Sequence, residues 1–408
     1  QSQVRVNFGQ KPFKFPPPDG FQPLNTANTR PVKVISRPDQ YVGVTTYSGS
    51  TGTGTIKDDN INFTPDFVWV KDRGGTEVHA LYDTVRGSTG GNFYRLSSNS
   101  TAGNNSPTNE LTSMIRGGFT ANNNGHIYYN GKYYVSWMWK AGGTPTATNT
   151  QTSGAMTANS VSLDGVLQSA YTPSGSPSTY PKKMSIGTKQ GFSIVQFEGT
   201  GANATIPHGL GKPAKFMIVK NIDEATGWGV YHDAIGTATN NYIELQSTGA
   251  AGADDTAFQD TAPTSDVFSV GSKAAVNDTN DDSIAYIWAE VPGLQKFGTY
   301  TGNSSSDGIF IETGFRPAVL WIKTLNTPSS WYVYDSEREK FNPLDTALFA
   351  NLSNAESTNS NAAVDLLSNG FKFRGNAGAT NSSSYNYIYC AWAEAPSIDL
   401  FGGGANAR

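Results

Sequence analysis

Four histidines, His79, His126, His208 and His232, are the residues in this 408-residue chain most able to move a proton or hold a metal. No two of them stand at a spacing that lets paired imidazoles share a zinc ion. His79 lies four residues before Asp83 and His232 directly precedes Asp233, so an acid–histidine pair could form. A Ser–His–Asp arrangement also needs a nucleophile on a sharp turn, and no G-x-S-x-G segment supplies one. Paired carboxylates are the next option. Asp254-Asp255, Asp281-Asp282 and Glu337/Glu339 could act as acid and base on a glycoside. Each pair sits in a polar or charged stretch, where carboxylates are expected to be solvated and unshifted, whereas a general acid needs an apolar surround.

Two further constellations concern binding. The loop VNDTNDDS, residues 276–283, gathers oxygen ligands, with Asp278, Asp281 and Asp282 as candidates for a cation. It lacks the glycine and terminal glutamate of an EF-hand, and an exposed loop is the competing reading, so no metal or cofactor is assigned. Trp228, Trp331 and Tyr332 begin a strand beside Gly- and Ser-rich turns and could stack on sugar rings. Burial in a core or between domains is the stronger expectation for strand aromatics. Cys390, alone, reads as a small buried apolar residue and not as a nucleophile.

The elements that would carry these residues occur three times. Pro65, Lys71, Tyr82, Asp83, Phe119 and Trp139 return as Pro213, Lys220, Tyr231, Asp233, Phe268 and Trp288, then as Pro317, Lys323, Tyr334, Asp335, Phe371 and Trp392. Asp to closing Trp spans 56, 55 and 57 residues (83 to 139, 233 to 288, 335 to 392). TPDFVWVKDR, KPAKFMIVKN and RPAVLWIKTL read as strands with Lys marking the exit to solvent, and HALYDTVRG, WGVYHDAIG and SWYVYDSERE as their hairpin partners. YYVSWMWKAGG, SIAYIWAEVPG and YIYCAWAEAPS run apolar almost without interruption, as a strand buried on both faces does. Each copy opens with Tyr47, Phe197 or Tyr300 before a Gly-rich turn, and the recurring Asp is expected to cap a turn.

With 44 Gly and 21 Pro few stretches are free of helix breakers, while 12% aromatic residues exceed what a disordered chain carries. The expected fold is all-β, with three consecutive repeated β-sandwich domains, since one core does not grow to this length. The expected boundaries are an N-terminal segment 1–40, repeat 1 at 41–143, a linker and hairpin insert at 144–190, repeat 2 at 191–296 and repeat 3 at 297–408. In the insert, SVSLDGVLQSAY reads as a small hairpin about Asp164-Gly165, too small to stand alone and expected to lean on a neighbour. NAAVDLLSNGF could make two helical turns or a buried strand. Net charge is −4 with no basic cluster, which argues against nucleic acid. No run of about 18 apolar residues offers a membrane span.

The series FTPDFVWVKDR, HALYDTVRG, YVSWMWKAGG, GFSIVQFEGTGANATIPHGLGKPAKFMIVKN, YIYCAWAEAPS and FGGGANAR resembles the repeated modules of tail-fibre-like virion proteins from marine tailed bacteriophages. The start, QVRVNFGQKPFKFPPPDGFQPLNT, resembles the last strand of a SPRY-like β-sandwich and suggests a piece of a longer polypeptide. The resemblance implies a virion surface component and no catalytic motif. Its expected function is non-enzymatic: a tail fibre or appendage contacting a host surface glycan, with other virion proteins as partners and a homo-oligomer, such as a trimer, as its state. The alternative is a head fibre or decoration protein with structural contacts only, and a capsule depolymerase comes third. Three repeats in one chain could also make a pseudo-threefold monomer. Specific contacts are expected where the copies differ, at 88–111, 237–266 and 342–365.

Overall fold

A computed structural model describes residues 34–105, 109–235 and 242–396; the expected SPRY-like strand and the FGGGANAR ending lie outside them. The chain is all-β, built from sheets that are antiparallel apart from one parallel strand pair at the insert, with a few single-turn helices. Each repeat has an inner sheet of the same four strands in the same order: opening, closing, lysine-bearing and return. In repeat 1 these are Val42–Ser48, Tyr133–Trp139, Phe67–Asp72 and Ala80–Asp83. In repeat 2 they are Phe192–Glu198, Asp282–Ala289, Ala214–Asn221 and Trp228–His232, and in repeat 3 Gln295–Thr301, Asn386–Pro396, Phe315–Thr324 and Tyr332–Asp335. The closing strand lies inside its sheet, paired on both edges. This position explains why its sequence is apolar on both faces.

One face of each inner sheet packs on a small outer sheet, which makes the sandwich. The outer layers are Gly54–Lys57, Gly118–Ala121 and Leu111–Ile115; Ala204–Pro207 and Val267–Val270; and Phe310–Glu312, Gly370–Phe373 and Val364–Leu367. NAAVDLLSNGF therefore supplies a strand: Val364–Leu367 turns back on Gly370–Phe373. The recurring aromatics join the layers edge to face in every copy. Tyr47 meets Phe119 at 5.9 Å, Phe197 meets Phe268 at 6.1 Å and Tyr300 meets Phe371 at 6.4 Å.

The other face of each inner sheet points at the other two. On the closing strands alternate residues turn inward, and the three recurring tryptophans meet. Trp139, Trp288 and Trp392 form a triangle with centroids 6.1, 5.8 and 5.4 Å apart and planes crossed at 69° to 71°. They belong to one central cluster with Phe67, Trp69, Phe216, Trp321 and Val319, drawn from all three repeats. Three sandwiches thus share a fourth core about a pseudo-threefold axis. The indole N–H groups of the three tryptophans and of Trp321 are buried without an oxygen or nitrogen acceptor. Their edge-to-face neighbours offer ring faces instead, a weaker but real partner for N–H.

The lysines depart from expectation. Lys71, Lys220 and Lys323 do not exit to solvent; all three are buried. Each ammonium caps the hairpin that follows its strand. Lys323 donates to the Ser329 carbonyl of its hairpin (2.8 Å) and also across to the Thr248 carbonyl of repeat 2 (3.0 Å), and Lys71 donates to the carbonyls of Asp72 (2.6 Å) and Gly75 (3.0 Å). Lys220 does the same with Asn221 and Glu224. Burial pushes all three amines down to about 8. The insert forms the expected hairpin, Val161–Leu163 and Val166–Leu167, with left-handed backbone at Asp164 (φ 50°) and Gly165 (φ 88°). It leans on repeat 2: Val161–Leu163 pairs in parallel with Lys183–Gly187, which pairs with that repeat's opening strand.

A shared core predicts shared unfolding. Calorimetry is expected to show one transition for the three repeats, and Trp392→Ala, which costs roughly 3–5 kcal/mol as a large-to-small core change, should lower the whole transition. Separate transitions with only one displaced would show independent sandwiches.

Candidate functional site

The residues with chemical potential are spent on the seams between repeats. In copies 1 and 3 the return strand ends in an Asp-x-x-Arg turn. Asp83 accepts from the N–H groups of Val85 (2.9 Å) and Arg86 (2.8 Å) and pairs with the Arg86 guanidinium at 2.5 Å. Asp335 repeats this with Glu337, Arg338 and the Arg338 side chain. Both pairs are fully buried, and each carboxylate also takes a hydrogen bond from the next repeat. Tyr286 Oη donates to Asp83 (2.7 Å) and Trp137 Nε1 donates to Asp335 (3.1 Å). Equal spacing placed Asp233 in this role, but the strand register corrects it: Phe67 faces Asp83, Val319 faces Asp335, and Phe216 faces His232. Asp233 lies one residue beyond, half exposed and paired with Lys215.

The exchange follows from the partner. Cys390 stands where Trp137 and Tyr286 stand, two residues before the closing Trp, and it is buried. A thiol is a poor donor to a carboxylate, so repeat 2 uses an imidazole that donates to a backbone carbonyl, from His232 Nε2 to Tyr389 at 3.2 Å. His232 Nδ1 accepts from Ala234 N–H, taking over the turn cap, and Ile235 replaces the arginine. His79 adds a second contact to the seam between repeats 1 and 3: Nδ1 accepts from Trp69 Nε1 (2.8 Å) while Nε2 faces the carbonyls of Phe349 and Leu352 in repeat 3. His208 is fixed likewise between Leu210 N–H and the Thr264 carbonyl. Neither ring nitrogen of His79 is left to activate a serine. The Asp-x-x-Arg signal was present in DTVR and DSER at one offset and could have been read.

For Trp228 and Trp331 the stronger expectation, burial between domains, holds, and the sugar-platform one does not. Trp228 and Trp331 are 0% and 1% exposed, so neither ring face meets solvent. Both are seam donors at the position of His79: Trp228 Nε1 reaches the Ser100 carbonyl (2.9 Å) and Trp331 Nε1 the Glu244 carbonyl (3.2 Å). Tyr332 is half-buried against Phe349 and Tyr334. The three acids of the 276–283 loop go to separate partners: Asp278 to Thr279 N–H, Asp281 to Asn221, Asp282 to Lys182 and Gln196. Among the described residues no group of three or more metal-binding side chains converges. The paired acids are also engaged. Asp254 caps a helical turn and pairs with Lys273 (2.8 Å), and burial pushes Glu339 up while it accepts from Thr346 N–H. These two are therefore not the unshifted, solvated carboxylates expected.

Two exposed aromatic rings stand together at an end of repeat 1. Tyr129 and Tyr133, 48% and 62% exposed, flank the Asn130-Gly131 turn, closed by Lys132 N–H on the Tyr129 carbonyl (3.1 Å). Beside them Lys132 Nζ bridges Glu77 (2.7 Å) and Asp72 (3.1 Å), and His126 Nδ1 lies 2.9 Å from Glu77. The hydrogen bond from Lys132 holds Glu77 below the usual carboxylate range, and burial pushes His126 down. Counting back from the closing Trp, Asp282 and Asn386 occupy the place of Tyr133 in the other copies. Exposed phenol faces beside a carboxylate and an ammonium can stack on a sugar ring and bond its hydroxyls. Sequence reasoning missed these residues because it looked for difference in the loop-rich middles, and this one lies at a strand end.

The buried histidines give a pH prediction. Burial holds His79 down to about 3 and His208 and His232 to about 4, whereas an unfolded histidine takes its proton near 6.5. The unfolded chain binds more protons between these values, so stability is complete above about 6.5 and falls toward 4, by on the order of 3 kcal/mol per imidazole. His208→Gln should lose stability at pH 7 and show a shallower acid slope in urea titrations; an unchanged slope would contradict the assignment.

Among the described residues no helix is long and apolar enough to cross a membrane. No curated protein and no solved structure matches the chain. A family model described as a domain of unknown function, DUF7483, matches residues 37–180 and again 167–396. The first match covers repeat 1 with the insert and the second covers repeats 2 and 3, and by this coverage the chain belongs to the DUF7483 family.

Proposed function

We propose that this chain is a non-enzymatic interaction module of a virion surface appendage, such as a tail fibre, that contacts a host surface glycan through the Tyr129–Tyr133 end of repeat 1. The observation carrying this reading is the pair of exposed tyrosines set about a hydrogen-bonded turn beside Glu77, His126 and Lys132. It is supported by the use made of the seam groups, since His79, His232, Asp83 and Asp335 all hold repeat to repeat. A preorganised platform loses little entropy on binding, and several copies on one particle would multiply weak contacts. The resemblance to tail-fibre-like proteins points the same way.

Phe341, 78% exposed, and Phe310, 46% exposed, favour a second reading, in which repeat 3 docks on other virion subunits as in a head fibre or decoration protein. One pair of variants separates the two. Tyr129→Ala with Tyr133→Ala is expected to keep the melting temperature, since surface changes cost within about 0.5 kcal/mol, and to weaken binding to host cells about tenfold or more in a pull-down series. Phe341→Ser should leave cell binding intact. Unchanged cell binding by the tyrosine variant, with loss of particle incorporation by the phenylalanine variant, would replace the first reading by the second.

A further inference from the structure

At the opposite end of the same closing strand lies a site of different chemistry. Tyr133 begins that strand and Lys140 directly follows it, roughly 20 Å away at the rise of an extended chain. There a cleft forms where repeat 1 meets the segment before it and the insert, and Arg116, Lys140 and Lys189 line it with Asp164 as the one acid. We infer that this cleft binds the anionic groups, sulfate ester or carboxylate, of an acidic polysaccharide.

The cations are available. None of the three forms an ion pair with a described residue, and Arg116 and Lys189 are exposed. Asp164 is already satisfied by Thr188, through its N–H at 2.8 Å and its hydroxyl at 2.6 Å. Lys140 is near enough to the buried Asp66 to favour its ionised form, against burial that pushes that carboxyl up. Asp66 Oδ2 accepts from the N–H groups of Ala141 (2.8 Å) and Gly143 (3.2 Å) and Oδ1 from the Thr84 hydroxyl (3.3 Å), so both of its oxygens are already engaged.

The site is also built. Arg116 donates to Asn62 Oδ1 (3.2 Å), and Asn62 is anchored by its amide on Asp39 (2.7 Å), so the guanidinium is aimed while most of its donors stay unused. Lys140 N–H is tied to the Tyr41 carbonyl (2.8 Å), and Gln190 fixes the floor on the Ala141 carbonyl (2.7 Å). A second cleft continues the first, sharing Thr64 and Lys140; it adds the hydroxyls of Thr112, Ser113 and Thr144, and its one acid is the buried Asp66. A polar groove with cations at intervals suits a hydrophilic chain that bears a charge on some of its units. Nucleic acid fits less well, because every nucleotide brings a phosphate to neutralise and three cations are too few.

The experiment uses the full chain with dextran sulfate, polygalacturonate, neutral dextran and poly-dT as probes in a biosensor. The expected result is salt-sensitive binding to dextran sulfate, polygalacturonate or both, and none to neutral dextran. The sulfate and carboxylate arms identify the group. Arg116→Glu with Lys189→Glu should weaken that binding about tenfold or more, since two exposed attractions become repulsions. Arg116→Gln with Lys189→Gln should weaken it less, and both variants should melt as the parent does. Tyr129→Ala with Tyr133→Ala should leave it untouched, so failure here and failure of the glycan platform are told apart. Equal binding by parent and charge-reversed protein, no binding to either acidic polysaccharide at low salt, or tighter binding to poly-dT would each overturn the inference.

Discussion

Closure of three sheets on one tryptophan triangle is the constraint from which the rest of the molecule follows. Each inner sheet has two apolar faces, and its own outer sheet covers only one. The second face, with Trp139, Trp288 or Trp392 at its centre, must find two more like itself. Three separate chains could meet this need by association, and this chain meets it internally. Aromatic pairs of this kind contribute about 0.5–1.5 kcal/mol each beyond the area they bury. Their larger effect is geometric, because crossed planes leave one arrangement that satisfies all three pairs.

A ring made of non-identical copies needs seams that close despite sequence change. Where the neighbour offers a phenol or an indole, the seam uses a carboxylate neutralised by arginine three residues on. Where the neighbour offers Cys390, it uses a neutral imidazole with isoleucine in the arginine's place. Both solutions bury no net charge, which matters because an unpaired buried charge costs several kcal/mol. The second family of seams, His79, Trp228 and Trp331, follows the same logic with a ring N–H on a neighbouring backbone carbonyl. Placing a histidine or carboxylate there fixes its protonation state and its partners, which suits assembly.

The repeat itself was legible because spacing survives where identity drifts. Pro, Lys, Tyr, Phe and Trp recurred at matching offsets, and each proved to be a strand, cap or layer-joining position. Two readings failed for one reason: a linear pattern carries no direction. Lys71, Lys220 and Lys323 look like strand exits, yet the fold turns them back on the hairpin carbonyls. Asp233 matched by residue type, while the strand register selected the histidine beside it. Compensation between His232 and Cys390, 158 positions apart (232 to 390), is visible only when the sheets are in contact.

Threefold closure also says where function can reside. A position repeated in all copies is committed to the ring, so specificity must come from places where the pseudo-symmetry is broken at the surface. Two such places lie at the two ends of one strand. Tyr133 is exposed where Asp282 is held by Lys182 and where Asn386 pairs with its own neighbours. At the other end, only repeat 1 is followed by the insert, which brings Asp164, Lys189 and Gln190 against Lys140. The same insert covers the opening-strand edge of repeat 2, an edge that, among the described residues, the inner sheets of repeats 1 and 3 leave unpaired. One insertion thus blocks a strand edge and forms a wall of the cationic cleft. A chain of three equal sandwiches would have neither, and it would present the same surface three times.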